Sequence, residues 1–332
     1  MRISGVKTAK KIFRWVQARV FGGALILGYH RIARVVQDAY EVCVTPEHFE
    51  EQMEMLSRYT HPISLSQLVQ HLKTGSLPSK SVAVTFDDGY TDNLYQAKPM
   101  LEKYSVPATV FVCTGYVGKE FWWDEIERLV MSSQADLYAL RLQVGDSQFQ
   151  WEQPDGGSDA EKSEVRRRFR HALYHFLLPL DINDLKEAMD TIRGWAGSFT
   201  DEKSTPHSMT HQELLQLAAG GLVEFGAHTR HHPMLPRLPL ERQQDEIVSG
   251  KKDLEDLLGK QVMGFAYPNG RATTDAKRIV QEAGFAFACT SLHDVVRPGK
   301  DLYELTRFWQ KDVDGDKFLQ GLQRWMKTQI VD

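Results

Sequence analysis

The chain has 332 residues, 42% of them apolar and 25% charged, with a formal net charge of −4. Such values exclude a chain disordered throughout, a collagen or a coiled coil, and the net charge excludes a polycation built for nucleic acid. Three cysteines (Cys43, Cys113 and Cys289) are too few and too scattered for a disulfide framework and suit a reducing compartment.

Residues 1–37 carry Arg2, Lys7, Lys10, Lys11, Arg14, Arg19, Arg31 and Arg34 and no acid; the first is Asp38. Ile12, Phe13, Val16, Val20 and Phe21 interleave with these cations at helical spacing, so residues 1–23 read as a basic amphipathic segment that can lie on an anionic membrane. No small-residue cleavage site follows, and no run reaches the ~18–20 apolar residues of a membrane span. A cytoplasmic protein is expected, peripheral at the inner membrane face.

From residue 24 onward, short apolar runs alternate with helix-period segments. Strands are predicted at 24–29, 82–86, 108–113, 223–227, 262–267 and 286–290. A helix starts at Thr45-Pro46 with Phe49, Met53 and Leu56 on one face, and Ser64–Gln67 and Thr210–Glu213 have the capping-box pattern. Further helices are expected at about 92–104, 240–258, 274–283 and 316–330. This alternation predicts an α/β domain over 24–332 with a largely parallel sheet. A charged, helix-like stretch at about 119–208 interrupts it and reads as a helical insertion. In such folds the reactive residues sit at the carboxyl ends of strands.

Two segments meet that condition. Thr85-Phe86-Asp87-Asp88-Gly89-Tyr90 ends one predicted strand, and His228-Thr229-Arg230-His231-His232-Pro233 follows another. One carboxylate and two histidines make three metal ligands with a position left for water, the open set of a catalytic site. Zn²⁺ is the first expectation; Co²⁺, Ni²⁺ or Fe²⁺ suit the same donors. The other aspartate is then free to take a proton from water.

These segments resemble the polysaccharide deacetylases of the NodB-homology group, whose motifs T-F-D-D-G and H-[S/T]-x-x-H-P match Thr85–Gly89 and His228–Pro233. The resemblance implies a distorted, seven-stranded (β/α) barrel. It implies Asp87 as base and Asp88, His228 and His232 as metal ligands. Tyr29-His30 resembles the family's first-strand motif, and Tyr267-Pro268-Asn269 its groove-lining loop. His30, Tyr90, Tyr267, Pro268 and Asn269 are therefore expected at the substrate. Separately, the adjacent Trp122 and Trp123 make Trp123 a candidate sugar-stacking ring, the alternative being a partly buried core aromatic. The family's third motif often carries an arginine where this chain has Ala266; Arg307 is the candidate replacement. Leu292-His293 lies near where the family places its general acid, in an L-x-H motif whose spacer this chain lacks, so His293, His30 and metal-bound water are the candidate proton donors.

The expected function is metal-dependent removal of the N-acetyl group from an amino sugar of a surface glycan or its lipid-linked intermediate. The alternatives are a deacetylase-like amide hydrolase acting on a non-sugar substrate, and an inactive glycan-binding protein. The expected partners are an N-acetylated glycan or lipid-linked amino sugar, an anionic membrane surface and no nucleic acid.

Overall fold

A computed structural model describes residues 23–35, 38, 40–132, 139–145, 147–152, 159–197 and 207–327. Most of the basic amphipathic segment lies outside these residues. Among the described residues no helix is long and apolar enough to cross a membrane.

The order of elements is β1 (Leu25–Tyr29), β2 (Arg31–Ile32), β3 (Cys43–Val44), α1 (Pro46–Tyr59), β4 (His61–Pro62), α2 (Leu65–Thr74), β5 (Ser81–Phe86), α3 (Lys98–Tyr104) and β6 (Ala108–Val112). The insertion follows, with α4 (Trp122–Ser132), β7 (Ala139–Val144), β8 (Ser147–Glu152), α5 (Asp159–Leu177) and α6 (Ile182–Ala196). The chain then returns through α7 (His211–Ala218), β9 (Val223–Ala227), α8 (Leu240–Leu258), β10 (Gly264–Ala266), α9 (Thr274–Glu282), β11 (Phe287–Cys289), β12 (Phe308–Trp309) and α10 (Gly315–Lys327). Both predicted capping boxes form, at Ser64 and at Thr210.

Seven parallel strands pair in the order β11-β10-β9-β6-β5-β1-β12, with short β4 also on β5. The sheet curls until its ends approach. Leu305 bridges Cys289 at the end of β11, and three residues later Phe308 pairs with Leu27 of β1. This is the distorted seven-stranded barrel. β1, β5 and β6 are buried along their apolar lengths, as expected of parallel strands covered on both faces.

Alternation along the strands sorts the core. Leu25, Leu27, Val82, Val84, Val110 and Phe265 pack in one cluster with the residues of the surrounding helices. Ile26, Ala83, Phe111, Ala266, Phe287 and Leu305 form the other cluster, inside the curl. Glycines make room there for two rings. A Cβ on Gly226 would stand 2.3 Å from the Phe111 ring, and one on Gly264 2.6 Å from that of Phe287. Gly226→Ala is therefore expected to destabilise the fold by about 1–3 kcal/mol through overpacking, read as a lowered Tm; an unchanged Tm would show that Phe111 can move aside.

The insertion has a core of its own, including Trp122, Ile126, Leu140, Leu142, Phe169 and Ile192, joined to the barrel through Tyr90 and Cys113. Besides its helices it contains the antiparallel hairpin β7–β8, which the sequence reading passed over.

Candidate active site

Each residue of the site leaves the carboxyl end of a barrel strand. His30 follows β1, Asp87 and Asp88 follow β5, and His228 and His232 follow β9. All five line a cavity of about 980 Å³. Counting by twos from Ala83 inside the barrel gives Thr85 and then Asp87; from Leu305 it gives Arg307. The inward-facing residues of β5 and of the segment leading into β12 thus converge below the cavity.

There Arg307, fully buried, meets Asp87 side by side. Its Nη1 donates to Asp87 Oδ1 at 2.6 Å and its Nη2 to Oδ2 at 2.8 Å. Nε is used on the Thr290 carbonyl at 3.1 Å. Bidentate pairs of this kind are strong and fix orientation. Burial alone would raise the Asp87 pKa, but the guanidinium and its hydrogen bonds prevail and hold the carboxyl well below the usual carboxylate range. The cation absent at Ala266 is thus supplied by the residue that immediately precedes β12.

Asp88 faces the imidazoles. Its Oδ1 lies 3.7 Å from His228 Nε2 and 3.9 Å from His232 Nε2, and the three candidate ligand atoms lie within 4.8 Å of one another. Among the described residues this is the one group of three or more His, Cys, Asp or Glu residues so arranged. His228 Nδ1 donates to the Ala266 carbonyl at 2.7 Å, which leaves Nε2 unprotonated and aimed inward. Burial holds both histidines below their ordinary pKa and therefore neutral. Asp88 Oδ1 is buried without a hydrogen-bond partner. Burial and the adjacent Asp87 charge push the Asp88 carboxyl well above its ordinary value. An unpartnered buried carboxylate oxygen beside two neutral imidazoles is a donor set that a divalent cation satisfies and that protein groups here do not. Asp88 (φ 72°) and His232 (φ 57°) hold left-handed backbone, which non-glycine residues adopt at a cost where function requires it.

The other predicted residues divide. His30 stacks on Trp309, with ring centroids 4.5 Å apart, and burial pushes its pKa down to about 4. His293 is exposed at the lip of the cavity, and Asn269 lines it. Tyr90 and Trp123 form a wall. Trp123 Nε1 donates to Tyr90 Oη at 2.8 Å, Tyr90 Oη donates to Asp124 at 2.7 Å, and the Trp123 ring lies 5.0 Å from that of His232. The bridge between Tyr90 and Ser208 is bonded through the flanking Thr91 and Met209 amides, so the Tyr90 N–H points away from Ser208.

Tyr267 and Pro268 need correction. Neither lines the cavity. Tyr267 is fully buried among the helix-side core, its hydroxyl donating to the Tyr303 carbonyl at 3.2 Å. It follows Ala266 on an extended strand, and since Ala266 points into the curl, its neighbour must point out. Sequence reading also missed Trp309, Asp124 and Arg31, which line the cavity; the packing of Trp309 against Gly28, where a Cβ would stand 2.7 Å from the indole, left no sequence signal.

A curled parallel barrel with paired aspartates and two histidines at its strand ends defines a hydrolase-type site on a (β/α) scaffold, with Asp88, His228 and His232 placed where they could hold a metal ion. The chain belongs to the polysaccharide deacetylase family, whose model matches residues 74–135 and 177–288 and passes over 136–176 within the insertion. It is 32% identical over 111 residues to the poly-β-1,6-N-acetyl-D-glucosamine N-deacetylase of Staphylococcus aureus (strain NCTC 8325), a match covering 29% of this chain and 38% of that protein. In fold it resembles the deacetylase PplD of Streptococcus pyogenes, solved with acetate (TM-score 0.58, 18% identity, 90% of this chain and 98% of that one). It also resembles IcaB of Ammonifex degensii (TM-score 0.59, 19% identity, 92% and 97%).

Proposed function

We propose that this chain is a metal-dependent hydrolase that removes the N-acetyl group from an amino-sugar residue of a glycan. The observation that carries the reading is the convergence of Asp88, His228 and His232 beside an Asp87 clamped by Arg307, on one cavity at the strand ends. Asp88 Oδ1, His228 Nε2 and an imidazole nitrogen of His232 would hold the ion, of which Zn²⁺ is the first choice. When bound, such an ion lowers the pKa of water towards about 7 and polarises a carbonyl oxygen.

The chain's own groups divide the remaining work. Asp87, kept ionised by Arg307, accepts the proton of the attacking water. The Tyr90 N–H is the backbone donor for the developing oxyanion. His30, neutral in its buried stack, cannot give a proton to the leaving amine at neutral pH, so we assign that step to His293 at the cavity lip. The basic residues of 1–37 favour a glycan met at an anionic membrane face, as a growing or lipid-linked chain.

The likeness to poly-β-1,6-N-acetyl-D-glucosamine deacetylases makes β-1,6-linked N-acetylglucosamine oligomers the first substrate to try. The zinc-loaded protein is expected to release acetate from them, to lose that activity after dialysis against a chelator, and to regain it with Zn²⁺. Failure to release acetate from any N-acetylated glycan would sink the activity, and full activity in the metal-free protein would sink the metal.

A further inference from the structure

The turn that carries both histidines is backed by a buried carboxylate. Glu246, on α8, is only 5% exposed. Its Oε2 accepts the backbone N–H of Arg230 at 3.1 Å and that of His231 at 2.8 Å. Its Oε1 lies 2.8 Å from His231 Nδ1. Two backbone hydrogen bonds and one to the His231 ring, all on one side chain, therefore fix the turn between His228 and His232. The helix is pressed close behind: a Cβ on Gly250 would stand 2.7 Å from the Thr229 carbonyl carbon. The turn needs such support because Thr229 (φ 63°) and His232 (φ 57°) are both left-handed without being glycine. Such conformations persist only where the surroundings over-determine them. Glu246 does not line the cavity, so it acts through the turn and not on substrate.

We propose that Glu246 is a positioning residue for the metal site, setting the separation and direction of His228 and His232 through the Arg230 and His231 amides. This rests on the metal reading above. The carboxylate suits the task because one oxygen takes two adjacent N–H groups, as at a backbone nest, while the other satisfies the intervening imidazole. The Arg230 side chain adds a second tie to the same helix, with Nε 2.8 Å from Asp253.

The test is Zn²⁺ affinity of the full chain by competition with a chromophoric chelator, alongside thermal melting and steady-state kinetics. Glu246→Ala is expected to weaken Zn²⁺ binding about 10–100-fold. Its kcat should return towards the wild-type value at saturating Zn²⁺, with KM for the glycan unchanged. Glu246→Gln should stay within a few-fold of wild type. The amide oxygen still takes both backbone N–H groups, and His231 can switch tautomer to accept from the amide nitrogen. Should the alanine variant fail to fold, Glu246→Asp, whose shorter arm cannot serve both amides and the ring, should show the same weakened affinity. An alanine or aspartate variant with a lowered Tm but wild-type Zn²⁺ affinity would overturn the proposal. A wild-type chain that binds no Zn²⁺ would instead sink the metal reading beneath it.

Discussion

Asp87→Asn is expected to lower kcat for acetate release by about 10²–10⁴, the range a positioned general base contributes. Zn²⁺ affinity should stay close to wild type, because the proposed ligand set is Asp88, His228 and His232. The amide nearly matches the carboxylate in shape but presents one N–H where Arg307 needs an acceptor, so the variant also loses stability. Removing one partner of a buried ion pair typically costs about 3–5 kcal/mol, and the assays belong well below the variant's Tm. That loss suggests a rival explanation, in which Asp87 matters only as the counter-ion of Arg307. The double variant Asp87→Asn with Arg307→Met separates the two. It removes the uncompensated charge and should recover much of the stability, while kcat stays low. Recovery of activity in the double variant would show that Asp87 is a structural anion and would remove the base from the mechanism.

How much of this was legible in the sequence depends on how far each signal reaches. The long buried strands announced themselves through apolar runs, and Asp87, Asp88, His228 and His232 through their motifs. β12 did not, because it is two residues long and follows a polar Thr306-Arg307 pair; its place is fixed by pairing with β1. The hairpin does carry a strand signal of its own. Leu140, Leu142 and Val144 alternate with Arg141 and Gln143 ahead of Gly145, a period of two that a helix cannot use. Tyr267 was misplaced for a different reason. A motif gives adjacency along the chain, whereas orientation comes from the phase of the strand, and Ala266 already held the inward phase. The same rule, counted from Leu305, would have placed Arg307 on the inner face, though not against Asp87. Glu246 lies on the next helix after the turn it holds, outside any motif, and only the packing of α8 shows that it faces the Arg230 and His231 amides.

Arg307→Leu should be the most disruptive single change in the site. It leaves Asp87 buried with no cation, and such losses typically cost about 3–5 kcal/mol. The pH dependence tells this apart from lost packing. In the wild type the folded-state pKa of Asp87 lies below the unfolded value because of Arg307. The pair therefore stabilises the protein above the unfolded carboxylate pKa, about 3.9, and that contribution is lost only in strong acid, as the folded pKa is crossed. Without the guanidinium, burial dominates and the folded pKa rises above the unfolded one. The carboxyl then favours the fold in acid and opposes it as pH rises through the unfolded value. The stability gap between variant and wild type should thus be smaller near pH 4 and widen towards neutrality. Over the same interval kcat should lie below that of the wild type, most of all at the acid end, because the acid limb moves to higher pH as the base becomes protonated. Arg307→Lys restores a charge without the planar fork and should recover part of the stability and less of the rate. A gap that stays constant from pH 4 to 8 would mean that Arg307 serves the fold through packing alone, and that something else keeps Asp87 ionised.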